Sequence, residues 1–255
     1  MKLIFLTQQE AIQEFINPDD YALKLPQSNL SMVNPTNPTL DGYQDVFLNS
    51  FGEFTEEEKV GIEKYTEKLQ WLNLDVKIIK THRTHSLDIT QTRKDIIIVS
   101  GGYIGEATFI HECYHVLSRK YSNLTLSLSK IFGFTQIAEQ EIKEESFLLN
   151  PDALVCNYAI DVIHNETQKV YQVAPFVVLG LGTGLKVVGE EKYFMSRDTN
   201  YESLFENTSY TAHPEEMCAE YFTLIQLGTC IFRKIPNNEI PLRKYHAQLK
   251  SLSKE

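Results

Sequence analysis

Positive charge is in short supply in this chain: 24 Lys and Arg stand against 34 Asp and Glu, a formal net charge of −10 over 255 residues. The only basic cluster is the short Arg243-Lys-Tyr-His246, which reads as a solvated helix end. Nucleic acid is therefore not an expected partner. Cysteine is scarce too. Cys113, Cys156, Cys218 and Cys230 are widely spaced and form no C-x-x-C pair, so they read as small apolar core positions suited to a reducing compartment. No segment reaches the roughly 18 apolar residues that a bilayer crossing needs. Met1-Lys-Leu-Ile-Phe-Leu6 carries one charge and too brief an apolar run for a secretory signal. The expectation is a cytoplasmic chain, or one exported without a recognisable N-terminal mark. A hydrophobic fraction of 42% still supplies a sizeable core.

Histidine is also rare, at 7 residues, yet two of them fall in His111-Glu112-x-x-His115, within Ala107–Arg119. Residues at i and i+4 lie about one turn apart on one helix face, so two imidazoles can close on one metal ion. Glu112 is rotated by about 100° from His111 and can reach a metal-bound water, the position of a general base beside a Lewis acid. Phe109, Ile110, Cys113, Val116 and Leu117 recur at helical spacing, which puts the histidines on an amphipathic helix. Asp95-Ile-Ile-Ile-Val-Ser-Gly-Gly102 precedes it, a β-branched strand closed by a glycine pair.

Elsewhere the pattern predicts a short N-terminal strand, a helix around Gln8–Ile16, and a loop from Leu25 to Tyr43 on its Pro, Asn and Ser content. Thr55-Glu-Glu-Glu58 is a capping box opening a helix with Ile62, Tyr65, Leu69 and Leu72 on one face. Asp75–Lys80 follows as a strand, then a polar loop with His82 and His85, both read as solvated. Leu124–Phe132 reads as a helix stopped by Gly133, Glu139–Glu145 as a solvated acidic face, and Asn150-Pro-Asp-Ala as a turn or helix start. Strand alternation on either side of His164-Asn-Glu-Thr167 predicts a β-hairpin. Gly180-Leu-Gly-Thr-Gly184 lacks the lysine of a phosphate loop and reads as a flexible connector.

A zinc site that keeps a position for water needs a third protein ligand. The chain offers Glu145, Asp152, His213, Glu215, Glu216 and Glu220. Pro214 suits the first turn of a helix on which Glu216 and Glu220 share a face, with the small Ala219 between them. That favours Glu216 as ligand, Glu220 as hydrogen-bond partner of a ligand histidine, and Glu215 as the acid that answers the helix dipole.

His-Glu-x-x-His followed by Tyr, a short loop and Glu-x-x-Ala-Glu-x-Phe resembles the gluzincin metallopeptidases, most of all the catalytic domain of anthrax toxin lethal factor. The resemblance covers the two helices and the preceding strand. It implies that Glu216 binds zinc, that Glu220 is the second acidic position, and that Tyr210 steadies the transition state. Tyr210 stands one residue nearer its Glu than in that pattern, so His213 is an alternative donor. About 100 residues separate the two motifs, more than is usual, with the hairpin inserted between them.

The implied fold is α+β and zincin-like: a single catalytic domain over 1–255 with lobes of about 1–120 and 121–255. A small mixed sheet packs on the His-Glu-x-x-His helix, and a mainly helical C-terminal lobe carries the hairpin. The implied activity is hydrolysis of a peptide or protein by a metallopeptidase with one Zn2+ per chain. Ile98, Val99, Ser100 and Gly101 would border the cleft and pair with extended substrate. Two alternatives stand beside it: a zincin scaffold that binds metal or a partner without cleaving, and a latent peptidase occluded by the segment around Leu25–Leu40. Substrate preference and oligomeric state are not written in the pattern.

Overall fold

Where the sequence alternates β-branched runs with capped amphipathic stretches, a computed structural model of the chain has strands and helices in that order. It describes residues 1–83, 89–121, 123–142, 147–152, 157–178, 182–205 and 213–228, with 247 and 251. The architecture is mixed α+β, in two compact units, Met1–Tyr121 and Ser122–Glu255.

In the first unit the elements run β1 (Lys2–Phe5), α1 (Gln8–Phe15), α2 (Asp20–Lys24), α3 (Gln27–Val33), α4 (Leu40–Asn49), β2 (Phe51–Gly52), α5 (Glu56–Glu63), β3 (Asp75–Thr81), β4 (Gln91–Arg93), β5 (Ile96–Ser100) and α6 (Glu106–Lys120). The sheet order is β1-β3-β5-β4, with β2 also on β3. β1, β3 and β5 are parallel, while β2 and β4 are antiparallel to their neighbours. Every residue of β5 is buried, as its unbroken β-branched run requires of an inner parallel strand. α6 lies against β4 and β5, burying Phe109, Ile110, Cys113, Val116 and Leu117. Glu106 in its first turn and Arg119 and Lys120 in its last complement the helix dipole.

The passage expected to be a loop between Leu25 and Tyr43 is largely helical. Its prolines and asparagines punctuate α3 and α4 rather than interrupt them. Pro26 stands at the start of α3, and residues 34–39 connect the two helices, with Asn34 Oδ1 accepting from Thr36 Oγ1 and the Asn37 N–H. Thr39 caps α4, and a Cβ at Gly42 would lie 2.1 Å from the Asn37 carbonyl oxygen, so only glycine lets α4 begin against that connector. Leu30, Val33, Tyr43 and Phe47 are buried. The Thr55–Glu58 capping box forms as expected, but α5 stops at Glu63 and the face continues as a 3-10 turn, Lys64–Leu69.

These N-terminal helices grip the end strand of the sheet. Arg93 of β4 is 1% exposed. Its Nε donates to Asp19 Oδ2 at 2.8 Å, Nη2 donates to Asp19 Oδ1, and Nη1 donates to Tyr43 Oη at 2.7 Å. The guanidinium carbon lies 4.1 Å from the Phe47 ring centroid and 4.9 Å from that of Tyr21. A buried cation is tolerated here because a carboxylate, a phenol and aromatic faces surround it.

The second unit contains α7 (Leu124–Ser129), β6 (Thr135–Gln136), β7 (Phe147–Leu148), β8 (Tyr158–Ile163), β9 (Val170–Val178), β10 (Gly182–Val187), β11 (Tyr193–Met195) and α8 (Pro214–Leu227). It is not the mainly helical lobe expected. A six-stranded antiparallel sheet, β11-β10-β9-β8-β6 with β7 on β9, dominates it. The expected hairpin is β8–β9, at the middle of that sheet. Residues 182–184, expected in a connector, open β10. Gly184 lies under the Phe176 ring, where a Cβ would come within 2.4 Å, so this glycine marks a close cross-strand approach and not a linker. α8 packs against α7, with Met217, Cys218, Ala219, Tyr221 and Phe222 buried. Among the described residues no helix is long and apolar enough to cross a membrane.

Candidate metal centre

Helical spacing does in the first unit what the motif requires. On α6 the His111 and His115 rings have centroids 4.9 Å apart at 68°. His111 is half-buried and His115 fully buried. Between them Glu112 is 4% exposed. Thr92 Oγ1, on β4, donates to Glu112 Oε2 at 2.7 Å and lies 3.3 Å from the Glu112 carbonyl oxygen. Arg119, a later residue of the same helix, donates from Nη2 to the Thr92 carbonyl at 3.1 Å. β4 is thus tied to α6 at two points. Neither tie was visible in the sequence, where a threonine on a short strand carries no signal.

Cys113, next in the chain after Glu112, is fully buried. Complete burial, reinforced by the Glu112 charge, pushes its thiol well above the ordinary range. Cys113 and Cys218 are both buried free cysteines, as expected.

The substrate-edge role expected of Ile98, Val99, Ser100 and Gly101 does not match their placement. β5 lies inside the sheet: Ile98 pairs with Ile79 of β3 on one side and Gln91 of β4 on the other. Val99 and Ser100 pair with β3, and the Ser100 N–H reaches Thr90 Oγ1 at 3.3 Å. Gly101 is exposed with φ +71°, beneath the Arg83 side chain. Among the described residues β4 ends the sheet, and Arg119 already engages its Thr92 carbonyl. The sequence misled here because a buried β-branched run signals a strand but not its rank in the sheet.

In the second unit the acids of α8 are sorted by their hydrogen bonds. His213 is the helix N-cap, with Nδ1 accepting from the Glu215 N–H at 3.1 Å, and Pro214 follows at the first helical position. Glu215 Oε2 accepts from Thr125 Oγ1 of α7 at 3.1 Å. Glu216 is 6% exposed, and its Oε1 accepts from Asn150 Nδ2 at 2.7 Å. Glu220 and Asp152 are half-buried. Across the His213 ring at 5.6 Å stands Tyr158, whose phenol is pushed up to about 12 by burial, with the Glu215 and Cys218 charges adding to it. Tyr158 therefore stays protonated through the neutral range. Tyr210, His85 and Glu145 lie outside the described residues. His82 is exposed, and His164 packs against Phe194 in the β8–β9 turn.

The structure thus brings His111, Glu112 and His115 together with Thr92 in one unit, and Glu216 together with His213, Glu215 and Asn150 in the other. Two imidazoles one turn apart on α6 and a buried carboxylate on α8 are donor types of the kind that suits zinc. Thr92 and Asn150 are the residues that sequence reasoning missed. No protein-family model, curated protein or solved structure matches the chain.

Proposed function

We propose that this chain is a zincin-like, zinc-dependent metallopeptidase in which His111, His115 and Glu216 hold one zinc ion and Glu112 is the general base. The observation that carries this reading is a buried glutamate anchored by a strand hydroxyl between two histidines one turn apart on α6. Zinc, when bound, supplies Lewis acidity to a water and to the scissile carbonyl. Glu112 takes the water's proton as the carbonyl carbon is attacked, then passes that proton to the leaving amine. His213, with Nδ1 held as an acceptor, carries the proton of its neutral ring on Nε2, the donor that a developing oxyanion requires. Tyr210 is the other donor that the motif offers. Glu220 steadies a ligand histidine. A scaffold that only bound metal or a partner would gain nothing from burying and orienting Glu112.

Occlusion by a removable N-terminal segment fits poorly with α2, α3 and α4, whose side chains supply buried residues of the first unit and hold Arg93. Residues 25–40 are part of this fold, not a strap laid over it.

Metal analysis of the purified chain tests the proposal. One zinc per chain is expected, with His111→Ala, His115→Ala and Glu216→Ala each losing most of it. A zinc-free wild type after zinc loading, or full retention by His115→Ala, overturns it. The Thr92 anchor has its own signature. A hydrogen bond to a charged group contributes about 1.5–3 kcal/mol, so Thr92→Val should lower kcat on the order of 10–100-fold with KM little changed. Thr92→Ser, which keeps the hydroxyl, should restore most of the loss.

A further inference from the structure

Asn150 sits in the turn before β8, 66 positions from Glu216 in the chain, yet the two side chains meet at 2.7 Å. The amide of this asparagine is oriented by its own turn. Asn150 Oδ1 accepts from the Asp152 N–H at 2.9 Å across Pro151, the Asx arrangement that such a sequence favours. Proline restricts Asn150 to extended backbone and fixes its own φ, so the turn has little freedom to give way. Exchanging the amide ends would set NH2 against the Asp152 N–H and oxygen against the Glu216 carboxylate, two repulsions in place of two hydrogen bonds. The amide nitrogen therefore faces Glu216. Its neighbour Glu215 is engaged by Thr125, which separates the two acids into different hydrogen-bonding roles.

We propose that Asn150 is a positioning residue that makes Glu216 a one-oxygen ligand: it engages Oε1 and assigns metal binding to Oε2. The inference rests on the proposed role of Glu216. A glutamate binding through both oxygens would take up the coordination position that a hydrolytic site keeps for water. A neutral amide donor prevents this without cancelling the ligand's charge.

The test uses the full chain, stripped of metal and titrated with zinc against a chromophoric chelator, with cobalt(II) as the spectroscopic probe. Asn150→Ser keeps a side-chain acceptor for the turn but is too short to reach Glu216; Asn150→Ala loses both. Both variants should bind zinc about 10–100-fold more weakly, and the visible cobalt bands should lose intensity as coordination number rises. The metal-free Asn150→Ser chain should melt at the wild-type temperature, which separates this effect from unfolding. Wild-type zinc affinity and an unchanged cobalt spectrum in Asn150→Ser overturn the proposal. Glu216→Ala distinguishes the two levels. If it loses zinc while Asn150→Ser does not, only the role of Asn150 falls; if it binds zinc like wild type, the ligand assignment falls and this inference with it.

Discussion

Glu112→Gln is expected to remove hydrolysis while leaving the zinc in place. Glutamine keeps the shape of the side chain and an oxygen to accept from Thr92, whose hydroxyl sits 2.7 Å from Glu112 Oε2, so α6 and both histidines should stay where they are. What is lost is the carboxylate proposed as the base. General acid–base catalysis is commonly worth about 10²–10⁴-fold, and Glu112 is proposed to serve both the water and the leaving amine, so the loss should lie at the upper end. The measurement pairs turnover on a peptide library with zinc content of the same preparation. Undiminished turnover with zinc bound would show that the proton is handled elsewhere.

Breaking the Asp19–Arg93 pair should have the largest effect on stability. Arg93 is 1% and Asp19 8% exposed, so removing one partner strands a buried charge, at a cost of about 3–5 kcal/mol. Asp19→Asn and Arg93→Met should each lower the urea midpoint accordingly. The double change to apolar residues should recover part of the loss, because no unpaired ion remains. The pH dependence follows from the same pair. Burial alone would raise the Asp19 carboxyl, but the Arg93 hydrogen bonds and charge, with the Ala22 N–H, outweigh it and hold the group below its ordinary value of 3.8. A depressed acid stabilises the fold above the unfolded-state value and ceases to do so as pH falls through the folded one. The wild type should therefore lose this contribution progressively below about pH 4. Asp19→Asn should show a shallower acid limb. Equal stability of wild type and Asp19→Asn at pH 7 would contradict the account.

Much of the first unit could be read directly because its signals are local. The α6 periodicity, the Thr55–Glu58 box and the β-branched runs of β3 and β5 each fall within a few residues of one another. The failures have physical causes. Between Leu25 and Tyr43 the loop-favouring residues bound helices instead of replacing them: Pro26 and Asn34 stand at the two ends of α3, and composition alone carries no such positional information. In the second unit β6 and β7 span 2 residues each and β11 spans 3, too few for alternation to register. Gly184 looked like a hinge because the ring covering it belongs to another strand. The side-chain partners were least legible of all. Thr92 reaches an acid 20 positions later, Asn150 one 66 later, and Asp19 a guanidinium 74 later, and none of these distances leaves a periodic trace.

Strand β4 has only three residues, and two adjacent ones face opposite ways. Thr92 holds the Glu112 carboxylate on one side; Arg93 is clasped by Asp19 and Tyr43 on the other. A cut just after Asn49, made to liberate an enzyme from its leading helices, would carry away β1 and both of those partners. Such a nick would loosen the hydroxyl that holds Glu112, and the first fifty or so residues are better regarded as the foundation of the candidate centre than as its cover.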